Sequence, residues 1–304
     1  MHTQTIEQDL SIARTELSSG IHGIVEQLSA IRNQSLIQRD RAHRPPKLPS
    51  KTAIARVIEG LTAALFPNRL GAMDVAAENI DAYVAITLDQ CLSELNRQLR
   101  KEIAFSATEQ QPVDAITQKA LQITHEFAAA LPAIRQLLDT DIEAAYEGDP
   151  AAKSLDEVIV CYPGITAMIH HRLAHALYRS GAPLTSRIIA ELAHGLTGID
   201  IHPGASIGRR FFIDHGTGVV IGQTAIIGNN VRIYQAVTLG AKRFPKNSDG
   251  SLVKDNLRHP IVEDDVVIYA GATILGRVTI GKEATIGGNV WVTRDIPAGT
   301  VVTQ

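Results

Sequence analysis

The feature of this sequence that most limits its fold is an aliphatic residue at every sixth position after residue 200. Neither an α-helix nor a flat, alternating β-sheet has a period of six, whereas a short strand followed by a turn does. Three such units predict a triangular coil of about 18 residues, and stacked coils pair their backbone groups while they bury a column of side chains. The column consists of Ile201, Ile207, Ile213, Val219, Ile221, Ile227, Ile233, Leu239, Val262, Ile268, Ile274, Ile280, Ile286 and Val292.

Two irregularities interrupt this repeat. The period slips by two residues between Val219 and Ile221, and a polar, glycine-bearing loop separates Leu239 from Val262 at 240–261. Such an insertion has to leave the coil, and loops on a rigid scaffold are frequent places for binding and catalysis.

The residues before the repeat carry apolar side chains at helical spacing. They predict an α+β protein with an all-helical N-terminal domain at 1–199 and a repeat domain at 200–304. A basic, proline-containing segment at about 40–50 predicts a linker, and Pro132 predicts a kink or a break in the helix that contains it. The predicted helices lie at 6–40 (one or two helices), 54–65, 88–103, 113–138, 139–146, 165–180 and 184–196.

Charge and cysteine content exclude several classes of function. A net charge of −3 argues against nucleic acid or an anionic membrane surface as a general partner. Cys91 and Cys161 lack the spacing of zinc ligands, so we interpret them as reduced thiols and expect no metal site. No signal peptide is evident and no apolar run is long enough to span a bilayer, which predicts a soluble, cytoplasmic protein.

An acid–base pair is the first candidate for chemistry. His215 can take up a proton at neutral pH, and a carboxylate at its other ring nitrogen would fix its tautomer. Asp200 lies 15 residues before it, within about one coil, so the two can meet at a corner. The simpler alternative is that aspartates at such turns bind backbone amides and that a single histidine there lies on the surface.

Four further polar residues are suited to the ends of an amino acid. Arg258 offers a planar fork for a carboxylate, and His259 beside it has a ring that donates to the same ligand. Asp149 and Asp214 supply carboxylates for an ammonium group. Together with His215, these residues predict a pocket in which the hydroxyl of an amino acid faces a base.

Several stretches resemble the serine O-acetyltransferases of the hexapeptide-repeat family, in their extended bacterial form. The resemblance covers about 145–296 and rests on motifs that this family shares. They are Gly148-Asp-Pro-Ala-Ala, Tyr162-Pro-Gly with His171-Arg-Leu-Ala-His175, Gly198-Ile-Asp-Ile-His-Pro-Gly-Ala-Ser-Ile-Gly, Ile213-Asp-His-Gly-Thr-Gly-Val-Val-Ile-Gly, Ala236-Val-Thr-Leu-Gly and Arg258-His-Pro.

The resemblance implies a left-handed parallel β-helix assembled as a homotrimer or a dimer of trimers, with active sites between neighbouring subunits. It implies acetyl-CoA as the donor and L-serine as the acceptor, at the first step of cysteine biosynthesis. No cofactor is bound permanently. The roles it assigns are general base for His215, its partner for Asp200, substrate binding for Asp149, Asp214, Arg258 and His259, and backbone contact with acetyl-CoA for Gly240, Ala241 and Ala270.

Charge alone adds Lys242, Arg243 and Lys246 as contacts for the phosphates of acetyl-CoA. The family also implies feedback inhibition by L-cysteine, because cysteine resembles serine closely enough to fill the same pocket. Relatives carry a C-terminal tail that docks into cysteine synthase. Because the sequence stops at Gln304 without such a tail, we expect either that no complex with cysteine synthase forms or that the given chain is truncated.

Other interpretations compete with this one. A hexapeptide acyltransferase acting on a sugar or a different amino acid shares the fold, although Arg258 and Asp149 favour an amino acid. A carbonic anhydrase would need three zinc-binding histidines, for which His202, His215 and His259 are available at an unsuitable spacing. A non-catalytic scaffold would need neither the Asp-His pair nor the Arg-His pair.

His171 and His175, four residues apart on a helix, are interpreted as hydrogen-bonded structural histidines.

Overall fold

The computed structural model describes residues 21–39, 47–71, 75–107, 112–243, 246–254 and 256–303. The chain divides into two compact units, Met1–Lys47 and Leu48–Gln304. In the first unit the described residues form helix α1 at 21–38. Residues 6–20 of the helical segment predicted at 6–40, and residues 40–46 of the predicted linker, lie outside the described residues.

The second unit begins with helices whose apolar faces follow the periodicity of the sequence. A 3₁₀ turn at Ala77–Asn79 precedes the fourth helix. No helix in the described ranges combines the length and apolar character needed to cross a membrane. The helices are α2 (Lys51–Leu65), α3 (Pro67–Leu70), α4 (Ile80–Ser106), α5 (Val113–Gly148), α6 (Leu155–Cys161), α7 (Pro163–Arg179) and α8 (Pro183–Thr197).

Helix α5 departs from the prediction. It is a single helix of 36 residues that contains Pro132, so the predicted separate helix at 139–146 is wrong. Its buried face continues from Phe127 and Leu131 to Leu138 and Ile142. Burial of this long apolar face compensates for the backbone hydrogen bond that a proline removes. The helix therefore carries its C-terminal end, and Asp149 after it, to the repeat.

The repeat forms short strands that stack with strict regularity. All strand pairs are parallel, and the strands form three sheets in the orders β1-β4-β7-β10-β13, β2-β5-β8-β11 and β3-β6-β9-β12-β14. The strands are β1 (Asp200–Ile201), β2 (Ser206–Ile207), β3 (Phe212–Ile213), β4 (Val220–Ile221), β5 (Ile226–Ile227), β6 (Arg232–Ile233), β7 (Thr238–Gly240), β8 (Ile261–Val262), β9 (Val267–Ile268), β10 (Thr273–Leu275), β11 (Thr279–Ile280), β12 (Thr285–Ile286), β13 (Trp291–Val292) and β14 (Val301–Val302).

From β1 to β13, successive strands enter successive sheets, which makes the coil triangular, and between β13 and β14 Ile296 bridges Ile280 of the second sheet. We call the turns that connect the three sheets the first corner (first to second sheet), the second corner (second to third) and the third corner (third to first). The aliphatic column predicted from the sequence fills the interior, and only Ile207, on the terminal strand of the second sheet, is half-buried. Burial of this column stabilises the coil at about 25 cal/mol per Å² of apolar surface removed from water.

The two irregularities of the repeat lie at two different corners. Val220 pairs with Thr238, 18 residues later, but Asp200 pairs with Val220, 20 residues later. The two extra residues lie between β3 and β4, at the third corner. Ile226 pairs with Ile261, 35 residues later, because the 240–261 loop leaves the first corner.

A buried ion pair joins the helices to the coil. Arg172 of α7 donates to both oxygens of Asp141 of α5, at 3.0 Å each, and to the carbonyl oxygens of Ile207 and Gly208. Asp141 also accepts the backbone N–H of Phe211 at 2.9 Å. Because both charged side chains have hydrogen-bond partners, the Arg172–Asp141 pair fixes α5 and α7 against the second corner.

Candidate functional site

The turn between β3 and β4 is built to expose one imidazole. His215 has φ +58°, a left-handed conformation that costs a residue with a side chain about 1–3 kcal/mol. Gly216 follows at φ +87°, and a Cβ there would approach Ile199 to 2.4 Å, so the turn lies directly over the preceding coil. The side chain of His215 is 73% exposed. The two extra residues of the repeat therefore place a histidine in solvent at the third corner.

Asp214 lies inward of this histidine and is fixed by an arginine from the next coil. Arg232 Nη2 donates to Asp214 Oδ2 at 3.0 Å, and the guanidinium lies over the rings of Phe212 and Tyr234. The Asp214 side chain is only 13% exposed. Its Oδ1 lies 3.8 Å from His215 Nε2, close but beyond hydrogen-bond distance.

Asp149, directly after α5, brings a second carboxylate to the same corner. It accepts a hydrogen bond from the Tyr162 hydroxyl at 2.5 Å and another from the backbone N–H of Ala151 at 2.8 Å. These bonds, with a smaller contribution from the positive charge of Arg232, lower the pKa of Asp149. The same hydrogen bond raises the pKa of Tyr162 to about 12. Asp149 is therefore an oriented carboxylate at neutral pH.

The structure does not join Asp200 to His215. Within the described ranges, no hydrogen bond or ion pair links the Asp200 carboxylate to the imidazole, and Asp214 is the acidic partner within 4 Å. Asp200 is half-buried at the start of β1, in the coil under the turn. Three of the predicted residues, Asp149, Asp214 and His215, thus share the third corner, with Asp200 beneath them.

Arg258 and His259 lie at the first corner, where the long loop returns to the coil. Arg258 Nη2 donates to Gln223 Oε1 at 2.8 Å, and Thr224 accepts the backbone N–H groups of both Arg258 and His259 at 3.0 and 3.2 Å. Arg277 Nη1 donates to the carbonyl oxygens of Thr224 and His259. The first corner therefore carries a second polar cluster, which one face of the coil separates from His215 at the third corner.

Local contacts determine the tautomer of His259. The Thr224 backbone N–H, which can only donate, lies 3.1 Å from His259 Nδ1, so Nδ1 accepts and Nε2 carries the proton. Burial, with the charges of Arg258 and Arg277, lowers the pKa of His259 to about 4. His259 is thus a neutral ring with a fixed N–H donor at physiological pH. His202, at the same corner, has its pKa lowered to about 4, chiefly by burial.

The residues predicted to contact acetyl-CoA are divided between the two corners. Gly240 ends β7 and accepts the backbone N–H of Gly276 at 2.9 Å, and Ala241 follows it at the first corner. Ala270 lies at the third corner, above Gln235, and its carbonyl accepts the N–H of Asn289. Lys242 and Arg243 are exposed after β7, and Lys246 is exposed in the loop.

The metal-site alternative finds no support in the geometry. No cluster of three or more histidine, cysteine or acidic residues suited to a metal ion is present in the described part of the chain. His215 lies at a different corner from His202 and His259. His175 bonds the carbonyl oxygen of Pro203 at 2.8 Å, as predicted. His171 is buried, but within the described residues its Nδ1 has no hydrogen-bond partner, so the predicted hydrogen-bonded role is wrong for that atom.

Comparison with known proteins identifies the family. The plasmid serine acetyltransferase of Synechococcus elongatus is 51% identical over 297 residues, which cover 96% of this chain and 93% of that protein. The chain belongs to the serine acetyltransferase family. It is accordingly an acyltransferase. Residues 259–294 also match the family described as bacterial transferase hexapeptide (six repeats).

Solved serine acetyltransferases share the fold. Serine acetyltransferase 1 of Entamoeba histolytica, solved in complex with L-cysteine, has a TM-score of 0.72 at 38% identity, covering 86% of this chain and 88% of that one. The Neisseria gonorrhoeae enzyme in complex with serine has a TM-score of 0.53 at 28% identity, covering 83% and 94%. The predicted helical region followed by a left-handed parallel β-helix is confirmed.

The sequence did not point to the residues that orient the candidate site. Tyr162 lies in a motif that gives it no role of its own, and Arg232 lies in none of the motifs. Gln223 and Thr224 are hard to recognise because their partners lie 35 residues later, across the long loop. The repeat itself holds the signal, because residues at equivalent positions of successive coils lie next to each other.

Proposed function

We propose that this chain transfers the acetyl group of acetyl-CoA to the hydroxyl of L-serine, with His215 as the general base. The observation that supports this most strongly is the third corner. A solvent-facing imidazole there lies beside two oriented carboxylates, on a turn that the regular repeat does not require. Family membership supplies the reaction class, and this arrangement supplies a chemical role for each residue.

In the proposed reaction, His215 removes the proton of the serine hydroxyl while that oxygen attacks the thioester carbonyl. The tetrahedral intermediate collapses with cleavage of the carbon–sulfur bond, and the imidazolium returns its proton to the departing CoA thiolate. Backbone N–H groups near Gly240 and Ala241 stabilise the oxyanion. The step needs no acyl-enzyme, and acetyl-CoA is a co-substrate rather than a resident cofactor.

The acceptor is held at both ends. Asp149 and Asp214 bind the ammonium group, because both are oriented by neighbouring donors and accessible at the corner. Arg258 and His259 bind the carboxylate through the guanidinium fork and the Nε2–H. L-cysteine fits the same pocket, which makes it an inhibitor of this chain, as the cysteine-bound relative suggests.

The positions of the two clusters favour a shared site. His215 and Arg258 occupy different corners on different coils of one chain, so one serine molecule contacts both when the third corner of one copy faces the first corner of another. A heterologous contact of this kind closes into a ring, and three copies around a threefold axis satisfy it. We therefore propose a homotrimer, with pairing of two trimers as a further level of assembly.

CoA release from acetyl-CoA, with and without L-serine, tests the proposal. We expect release that depends on serine and that falls in His215→Ala by about 100-fold or more. Release with a different hydroxyl acceptor, but not with serine, would overturn the substrate and keep the mechanism. Absence of release with any acceptor would overturn the enzymatic assignment itself.

A further inference from the structure

The Gln223-Thr224 dipeptide lies directly beneath the Arg258-His259 dipeptide, on the preceding coil. Gln223 contacts Arg258 and Thr224 contacts His259, each pair 35 residues apart in sequence. We propose that Gln223 and Thr224 are positioning residues that set the carboxylate-binding geometry of Arg258 and His259. This inference rests on the proposed function, since it assumes that those two residues bind the substrate.

Gln223 fixes the plane of the Arg258 guanidinium. Its amide oxygen accepts from Arg258 Nη2 at 2.8 Å, while its own nitrogen donates to the hydroxyl of Tyr178, on α7, at 3.1 Å. Arg258 Nη1 is held separately by the carbonyl oxygen of Asn256 at 3.1 Å. With one hydrogen bond on each terminal nitrogen, the fork has one orientation, and its remaining N–H groups stay available to a carboxylate.

Thr224 fixes the backbone and the ring of the neighbouring residue. Its hydroxyl oxygen accepts the N–H groups of Arg258 and His259 and lies 2.9 Å from His259 Nδ1, to which its hydrogen can be donated. The Thr224 backbone N–H donates to the same ring nitrogen at 3.1 Å. Both contacts need an unprotonated Nδ1, so they keep the proton on Nε2.

The matching test compares the serine dependence of four variants in the full-length protein in its native assembly. Gln223→Ala removes the contact to Arg258 Nη2 and Thr224→Val removes the three contacts of the hydroxyl, whereas Thr224→Ser keeps the hydroxyl. Asn229→Ala is the control: at the second corner, the Asn229 side chain donates to Asp264, also 35 residues later, and accepts the backbone N–H of Arg209. It therefore reports the cost of a lost coil-to-coil contact away from the site.

We expect the KM for L-serine to rise about tenfold in Gln223→Ala and Thr224→Val, the size of effect that one net hydrogen bond produces. The kcat and the KM for acetyl-CoA should stay within about twofold of the wild type, because the contacts act on binding of the acceptor. Thr224→Ser should recover the wild-type KM, and Asn229→Ala should not alter it.

The outcomes separate the two proposals. If wild-type protein releases no CoA in response to serine, the proposed function fails and this inference falls with it. If the wild type is active and Arg258→Ala weakens serine binding, but the KM values of Gln223→Ala and Thr224→Val equal that of Asn229→Ala, only the positioning role is overturned. Failure of Thr224→Ser to recover the KM would overturn the part assigned to the hydroxyl.

Discussion

Two aspartates compete for the role of orienting His215. Asp214 is adjacent and 3.8 Å away, but its other oxygen is engaged by Arg232. Asp200 is not in contact, although it lies in the coil beneath the turn that carries the exposed imidazole. We retain Asp200 as the proposed partner of His215 in the reacting complex.

Conservative substitutions separate these roles. In Asp200→Asn we expect kcat to fall about 100-fold or more with little change in the KM for L-serine, because the imidazolium loses its stabilising partner only as it forms. In Asp214→Asn we expect the KM for serine to rise with a smaller effect on kcat, because an ammonium ligand is lost. Steady-state kinetics on both variants test these roles. If Asp214→Asn lowered kcat and Asp200→Asn raised the KM for serine, the roles assigned to the two aspartates would be reversed.

At the level of single residues, the sequence predicted chemical type better than location. An Asp-His pair on a period-six turn is recognisable because the repeat explains its neighbours but not these two side chains. The orienting residues Tyr162 and Arg232 were not predictable in this way, because their roles depend on where α5 and the next coil bring Asp149 and Asp214. Such contacts arise from tertiary packing, which a single sequence does not record.

The first-corner turn depends on a glycine for packing rather than for flexibility. A Cβ at Gly222 would lie 2.0 Å from Cδ2 and 2.1 Å from Nε2 of His259, so the ring occupies the space of a missing side chain. We expect Gly222→Ala to displace the ring and to reduce kcat/KM for serine at least tenfold. The control is Gly195→Ala in α8, where a new Cβ has no atom within 4 Å. Equal activity of the two variants would contradict this packing role.

The same corner gives the protein a defined response to acid. His202 has a folded pKa of about 4, below the ordinary value of 6.5, so the unfolded chain binds its proton first. Its stabilising contribution is complete above pH 6.5 and is lost as the pH falls toward 4. Because Asn can accept the Gly204 N–H that His202 Nδ1 accepts, His202→Asn removes the titration while keeping that contact.

Denaturant unfolding at pH 7.5 and pH 5 tests this response. We expect the wild type to lose more of its free energy of unfolding than His202→Asn between these two pH values. Taking the difference between variants cancels the titration of every other group. Equal losses in the two proteins would show that the neutral state of His202 does not contribute to stability.

At the level of elements, the repeat and its interruptions were predictable while the helix boundaries were less so. The period of six specifies the inward position at each strand, and the two-residue slip in that period marks the turn that carries His215. By contrast, Pro132 lies inside one uninterrupted helix because the buried face of α5 outweighs the local preference of proline. Tertiary burial decides such cases.

For the whole molecule, the helical region and the coil of the second unit act together. The Asp141–Arg172 pair fixes α5 and α7 to the second corner, and α5 then delivers Asp149 to the third corner. One part of the acceptor site therefore comes from a helix and another from the coil. The remaining part, Arg258 and His259, faces away at the first corner, which leaves the proposed site incomplete in a single chain.

Complementation between two defective chains tests this incompleteness directly. His215→Ala damages the third corner and Arg258→Ala the first, so each homotrimer has three defective sites. In random mixed trimers, about a quarter of the interfaces join an intact third corner to an intact first corner, as expected for a heterologous contact in a closed ring. At low serine concentration we expect co-expressed variants to recover about a quarter of wild-type activity.

A mixture of His215→Ala and His215→Gln, with both defects at one corner, should recover none. Absence of recovery in the first mixture would mean that each chain forms its acceptor site alone, and the shared-site proposal would have to be abandoned.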